Sequence, residues 1–276
     1  MIIDSHVHAW SDDKRYPFEP SLKHNVSGSV ELLNQTMAEA GVDRAVIVQP
    51  IHYLYDNRYV RDCLRRFPRR FAGVALVNPM DPSSPNRLEE LVKEDGFSGI
   101  RLHFSRQKDP TALTQEDKYP LWQRVQDFGV TITVLMKGCE QLPILEKMVK
   151  RFPEVKVVID HMAFLDAKEA PPYPIFSNLL HLAKYPNVFV KVSNLVLCSH
   201  QQYPHRDVFP FIRMLHDAFG PERLMWASDW PLITIREVGG YLAALELVRT
   251  HIDFLSSSDR EWLFSKTARM VWSFGN

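Results

Sequence analysis

The feature that most constrains the fold is a regular alternation of short β-branched segments with amphipathic helical segments. Eight segments have the composition of buried strands, and their starts lie roughly 25 to 45 residues apart, as repeated βα units require. The predicted strands cover residues 1–6, 44–49, 72–77, 99–104, 130–136, 156–161, 188–193 and 224–229. Eight such units predict a closed (β/α)8 barrel of the TIM type, which commonly takes about 250 residues.

Length and charge favour one barrel domain over residues 1–276 and a small-molecule substrate. Hydrophobic residues make up 45% of the chain, enough for one large core. The 33 basic and 33 acidic residues cancel without long blocks of one sign, which argues against a nucleic-acid partner. No apolar stretch approaches the roughly 20 residues of a membrane span, and no signal-peptide pattern is present.

The cysteines bear on the cellular compartment. Cys63, Cys139 and Cys198 are far apart, which is not the pattern of a disulfide framework or a thiolate zinc site. We therefore expect a cytoplasmic protein without a membrane partner, and leave open whether it forms a homo-oligomer.

The end of the first predicted strand carries Asp4, His6 and His8 at alternate positions. Because side chains alternate along a strand, we expect all three to point toward the barrel axis, near its catalytic end. Imidazole nitrogens are good ligands for zinc. A lone His-x-His pair is more often structural, but the end of the first of eight strands is a favourable place for a metal site.

Polar residues also end the sixth and eighth predicted strands, where barrel enzymes keep their catalytic groups. His161 follows Asp160 after an apolar run, and Asp229 lies within Ala-Ser-Asp-Trp-Pro. A carboxylate at this position can take a proton from water, which makes Asp229 the candidate general base. The alternatives are a helix N-cap for Asp229 and a core histidine, hydrogen-bonded to backbone, for His161.

Further candidates lie at the ends of predicted strands four and five. We predict that Arg101, His103 and Lys137 bind substrate, because cationic groups around the mouth suit a carboxylate-bearing or polyhydroxylated molecule. Lys191, on predicted strand seven, is interpreted more simply as an inward-facing barrel residue.

Five segments together resemble the amidohydrolase-related family that contains pyrone dicarboxylate lactonase and sugar-acid lactonases: Ile3-Asp4-Ser5-His6-Val7-His8-Ala9-Trp10, Gly99-Ile100-Arg101, Asp160-His161, Val190-Lys191-Val192-Ser193 and Ala227-Ser228-Asp229-Trp230-Pro231. The resemblance implies a barrel fold and hydrolase chemistry. It also implies that Asp229 activates water, while His6, His8 and His161 polarise the substrate carbonyl or hold a metal that does so.

The chain departs from the metal-rich members of that superfamily. They have a histidine at the end of strand five and a lysine or glutamate at the end of strand four, where this chain has Met136 and His103. We therefore expect at most one divalent ion, with zinc as the predicted metal, on His6, His8 and Asp229. His161 is expected close by, and activity without a metal stays open.

Three functions fit this pattern to different degrees. The first is hydrolysis of a lactone of a sugar acid or of an aromatic-catabolism intermediate by water that Asp229 activates. The second is zinc-dependent decarboxylation of an aromatic or muconate-like acid, which Met136 disfavours. The third is a non-enzymatic binding protein, which the intact histidine and aspartate set argues against.

Overall fold

A computed structural model describes residues 1–22 and 26–275, so residues 23–25 and 276 lie outside the described chain. Eight parallel strands form one sheet in the chain order β1 to β8. They are β1 (Ile3–Val7), β2 (Arg44–Val48), β3 (Phe71–Leu76), β4 (Gly99–His103), β5 (Thr131–Leu135), β6 (Val157–Ile159), β7 (Val188–Val192) and β8 (Leu224–Trp226).

The sheet closes through the segment that follows β8. Val7 forms an isolated parallel bridge with Trp230. The N–H of Asp229 donates to the carbonyl oxygen of His6 at 2.9 Å, and the N–H of His8 donates to that of Trp230 at 2.7 Å. The predicted eight-stranded barrel is confirmed, and its closure brings the first and last polar motifs together.

Helices connect successive strands and cover the barrel. They are α1 (Val30–Glu39), α2 (Arg58–Arg66), α3 (Ser84–Lys93), α4 (Tyr119–Phe128), α5 (Leu142–Arg151), α6 (Ser177–His181), α7 (Leu195–Cys198), α8 (Phe209–Phe219), α9 (Ile233–Arg236), α10 (Gly240–Glu246), α11 (Ser257–Glu261) and α12 (Thr267–Val271). Gly129 ends α4 with a φ of 62°, a left-handed conformation that glycine adopts without steric cost. No helix within the described ranges is long and apolar enough to span a membrane.

The core has two parts. The larger cluster lies between the strands and their helices, and a smaller one fills the barrel interior, with Ile3, Val74 and Phe189 among its members. Trp272, just after α12, belongs to the interior cluster, and the hydroxyl of Thr131 donates to Val271 O at 3.0 Å. The C-terminal segment therefore helps to fill the barrel beneath the polar end.

The sequence-based strand limits were wrong at two places that matter for function. β6 ends at Ile159 and β8 at Trp226, so His161 and Asp229 follow their strands rather than end them. Both residues have left-handed backbones, with φ of 54° and 62°. Since a strand residue has negative φ, these turns redirect both side chains.

Candidate active site

His6, near the end of β1, and His8, just after it, lie at the carboxyl ends of the strands. Their Nε2 atoms lie 3.4 Å apart. The Nδ1–H of His8 donates to the carbonyl oxygen of Val48 at 2.8 Å. With Nδ1 engaged by the carbonyl oxygen of Val48, the ring turns Nε2 toward His6.

Asp4 does not share the face of these histidines, contrary to the alternation expected for β1. The register of β1 against β2 shifts between Asp4 and Val7, which is the effect of a β-bulge. Oδ1 of Asp4 accepts from the N–H groups of His6 at 3.1 Å and Ser228 at 3.0 Å. Burial raises the pKa of Asp4 to about 6. Asp4 thus ties the bulge to the segment after β8.

Asp160 is the buried anion of the site. Its Oδ1 lies 2.9 Å from Nζ of Lys191 and 3.2 Å from Nδ1 of His6, and its Oδ2 accepts from Nε of Arg101 at 2.9 Å. Burial alone would raise the pKa of Asp160, but Lys191 and Arg101 hold it well below its usual range. Burial and the charge of Lys191 lower the pKa of His6. An ionised Asp160 therefore orients a neutral His6, with Nδ1–H toward the carboxylate.

His161 reaches the site from a left-handed turn. The residues from His161 to Phe164 have φ of 54°, 52°, 56° and 52°, a conformation that costs free energy for residues other than glycine. Nδ1 of His161 lies 2.8 Å from Oγ of Ser193, and its ring centroid is 4.6 Å from that of His6. Burial lowers the pKa of His161 to about 4, so the ring is neutral at neutral pH.

The two oxygens of Asp229 have different surroundings. Oδ1 lies 3.3 Å from Nε2 of His8 and 3.7 Å from Nε2 of His6, and it accepts no hydrogen bond within the described chain. Oδ2 accepts from Nδ2 of Asn194 at 2.8 Å and forms an ion pair with Arg236. One oxygen is therefore held, and the other faces the imidazoles.

The environment keeps Asp229 ionised. Burial alone would raise the pKa of its carboxyl, but the neighbouring imidazoles hold that pKa well below its usual range. The carboxylate can therefore accept a proton or bind a cation across the neutral pH range.

A cavity of about 370 Å³ opens above these groups. Its lining includes His8, Arg101, His103, His161, Asp229 and Arg236. Burial lowers the pKa of His103 well below its usual range, so its ring is neutral. Arg106, on the loop after β4, adds a further cation to the wall.

Lys137 is not among the residues that line this cavity. Its side chain is exposed on the loop after β5, and its N–H donates to Oε1 of Gln141 at 2.7 Å. The structure therefore brings Arg101 and His103 to the cavity, but not the third predicted substrate-binding residue.

Sequence reasoning missed Asn194, Arg236 and the central place of Asp160. Asn194 lies two residues beyond the end of β7, so the rule that found Asp229 could have found it. Arg236 lies seven residues beyond Asp229 on α9, and no pattern marks it.

The donor set fits one divalent ion. The Nε2 atoms of His6 and His8 and Oδ1 of Asp229 are separated by 3.4, 3.3 and 3.7 Å. Around a tetrahedral zinc with bonds of about 2.0–2.1 Å, ligand atoms are about 3.4 Å apart. His161 lies beside this group, since one ligand atom each of His6, His161 and Asp229 fall within 4.8 Å of one another. The hydrogen bonds behind His6 and His8 are typical of metal-binding imidazoles.

A sequence profile described as Amidohydrolase matches residues 3–274. The chain belongs to this amidohydrolase family. The predicted family, barrel fold and hydrolase class are thereby confirmed.

Characterised relatives of this amidohydrolase include lactone hydrolases. It is 27% identical over 254 residues to the L-fucono-1,5-lactonase of Burkholderia ambifaria, covering 88% of this chain and 86% of that protein. It is 27% identical over 231 residues to the 4-sulfomuconolactone hydrolase of Rhizobium radiobacter, covering 83% of this chain and 75% of that protein.

A solved structure confirms the fold of the amidohydrolase. The crystal structure of a Burkholderia multivorans amidohydrolase with bound zinc superposes with a TM-score of 0.83 and 22% identity, and covers 98% of each chain. At this identity the likeness establishes the barrel.

Proposed function

We propose that this amidohydrolase is a lactonase that opens a cyclic ester with water activated by Asp229. The observation that carries the proposal is that the two oxygens of this carboxylate have different contacts. Oδ2 is held by Asn194 and Arg236, whereas Oδ1 is buried at the cavity floor beside His6 and His8. Lactone hydrolases among its relatives support ester chemistry at these residues.

The charges around the cavity favour a substrate that carries a carboxylate or several hydroxyl groups. Beneath the cavity, the two positive charges of Lys191 and Arg101 exceed the single negative charge of Asp160. Arg106 adds another positive charge at the wall. A surplus of positive charge in a partly desolvated site attracts an anion and stabilises negative charge that develops during reaction.

We propose that the site binds one zinc ion through His6, His8 and Asp229. When bound, such an ion polarises the ester carbonyl and lowers the pKa of water. A zinc-bound solved structure of the same fold supports this choice of metal.

The residues of the chain account for the proton transfers of ester hydrolysis. Asp229 accepts a proton from the attacking water as the new C–O bond forms at the carbonyl carbon. We assign the ring proton of His161 to Nε2, so that Nδ1, 2.8 Å from Oγ of Ser193, accepts from that hydroxyl and Nε2–H stabilises the carbonyl oxygen as it becomes negative. When the ring C–O bond breaks, Asp229 returns the proton to the departing alkoxide, and the product is a hydroxy acid.

We also propose that the protein acts in the cytoplasm. Cys63, Cys139 and Cys198 are all free and buried, which fits a reducing compartment.

A panel of lactones tests this function. Purified protein is mixed with L-fucono-1,5-lactone, glucono-1,5-lactone, 2-pyrone-4,6-dicarboxylate and δ-valerolactone, and acid release is followed with a pH indicator. Asp229→Asn should lose at least about 100-fold in rate, the low end for general-base catalysis. Asp166→Asn serves as the matched control, because Asp166 is an exposed carboxylate that pairs with His200.

The outcomes separate the candidate activities. Failure of the wild type on every lactone would contradict the proposal, as would an Asp229→Asn rate within about tenfold of the wild-type rate. Carbon dioxide release from an aromatic or muconate-like acid would instead favour the decarboxylase.

A further inference from the structure

The orientation of the Asp229 carboxylate needs an explanation that the reaction itself does not supply. Oδ1 lies 3.3 Å from His8 Nε2 and 3.7 Å from His6 Nε2, and it accepts no hydrogen bond within the described residues. A carboxylate that is not held at this oxygen is free to rotate about its side-chain torsions.

The backbone does not prevent that rotation. The N–H of Asp229 is bonded to His6 O at 2.9 Å, and the φ of 62° is set by the turn after β8. These contacts fix the Cα of the residue and leave the side-chain torsions free. What holds the carboxylate must therefore contact the carboxylate itself.

Two side chains make that contact, both at Oδ2. Nδ2 of Asn194 donates at 2.8 Å from the loop after β7, and Arg236 forms an ion pair from α9. Nη1 of Arg236 also donates to Oδ1 of Asn194 at 3.2 Å, which closes a three-membered network. Charge-assisted hydrogen bonds of this kind are stronger than neutral ones and fix geometry.

We propose that Arg236, together with Asn194, is a positioning residue that selects which oxygen of Asp229 takes part in the reaction. By binding Oδ2, Arg236 keeps Oδ1 turned toward the histidines before substrate or metal is present. The site is then preorganised, because substrate binding does not have to rotate the carboxylate.

The place of Arg236 on the surface makes this role testable. Its side chain is 28% exposed at the edge of the cavity, so replacement should not disturb the core. Nothing in the sequence motif around Asp229 encodes this arginine, which reaches the carboxylate only because α9 turns back over the cavity.

The inference rests on the proposed role of Asp229, so the experiment has a readout that does not depend on activity. Crystal structures of the wild type and of Arg236→Gln are compared for the orientation of the Asp229 carboxylate. In the variant, we expect Oδ1 to move out of hydrogen-bonding distance of His8 Nε2.

Kinetics on δ-valerolactone, a neutral lactone, provide the second readout. Arg236→Gln should lower kcat by up to about 100-fold, the cost of misplacing a reacting group. KM should stay within about twofold, because a neutral lactone makes no ion pair with Arg236. Arg236→Lys, which keeps the charge, should recover part of kcat. Arg249→Gln is the control, since Arg249 pairs with Glu246 at the surface.

The results separate this inference from the proposed function. If the wild type opens no lactone, the lactonase proposal fails, and the crystal structures still decide whether Arg236 holds the carboxylate. If Arg236→Gln leaves the orientation of Asp229 unchanged, or leaves kcat unchanged on a lactone that the wild type opens, the positioning role is overturned and the lactonase stands.

Discussion

Nζ of Lys191 lies 2.9 Å from Oδ1 of Asp160, and neither side chain is exposed to solvent. The same ammonium group is 3.1 Å from Nδ1 of His6, and Arg101 binds the other oxygen of Asp160. A charged pair this deeply buried is costly to desolvate, and it persists only where every partner is satisfied. The pair lies directly behind His6, so it holds the orientation of an imidazole in the proposed metal site.

Lys191→Met should destabilise the protein, because it leaves part of the buried charge of Asp160 uncompensated. We expect a loss of about 3 kcal/mol in the free energy of unfolding, the lower end for breaking a buried ion pair, since Arg101 remains as a partner. Urea denaturation measures the change. Lys191→Met combined with Asp160→Asn should lose less than the sum of the two single variants, and additive losses would show that the pair is not coupled.

Arg106→Gln should weaken the binding of anionic lactones selectively. Removing one charge-assisted contact costs roughly 1.5–3 kcal/mol, which corresponds to an increase in KM of about 10- to 150-fold. Steady-state kinetics with 2-pyrone-4,6-dicarboxylate and with neutral δ-valerolactone check this result. Equal effects on the two substrates would mean that Arg106 does not contact a substrate anion.

Elemental analysis of the purified protein should find at most one zinc ion per chain. His6→Ala and His8→Ala should each reduce the zinc content after dialysis, because each removes one of three proposed ligands. His103→Ala should keep the ion, since His103 lines the cavity outside the ligand group. Two ions per chain, or unchanged zinc content in both His6→Ala and His8→Ala, would refute the assignment.

The stability of the metal-free protein should decrease as the pH falls below 6.5, in part because of His161. Burial lowers the pKa of this ring from 6.5 to about 4. Between these values the unfolded chain binds a proton that the folded chain does not, so the free energy of unfolding declines as the pH falls. His161 should contribute a loss of about 2 kcal/mol between pH 7 and pH 5.

Comparison of the wild type with His161→Gln isolates the contribution of His161 to the free energy of unfolding. Asp4, whose pKa burial raises to about 6, acts in the opposite direction, because the folded chain then binds the extra proton. Urea denaturation of the wild type and of His161→Gln is therefore compared in the presence of a chelator. As the pH falls, the wild type should lose stability relative to His161→Gln, and a difference that stays constant would contradict the lowered pKa.

Local sequence patterns were enough to predict the barrel and most of its polar end. Local composition marks each strand, and the rule that barrel enzymes keep polar groups where strands end identified His6, His8 and Asp229 without coordinates. The same reasoning placed Arg101 and His103 at the cavity, because alternate residues of β4 point inward. These features depend on periodicity along one segment, which a sequence records directly.

The contacts that hold those groups in place became visible only in the folded chain. Asp4 turns away from the histidines because of a bulge, and Lys137 lies outside the cavity because the chain leaves the barrel after β5. Arg236 comes from α9 and Asn194 from the loop after β7, and the two meet at Asp229. Within a strand, alternation determines which way each side chain points. The turns between elements determine which side chains meet, and these turns contain left-handed residues that no local pattern specifies.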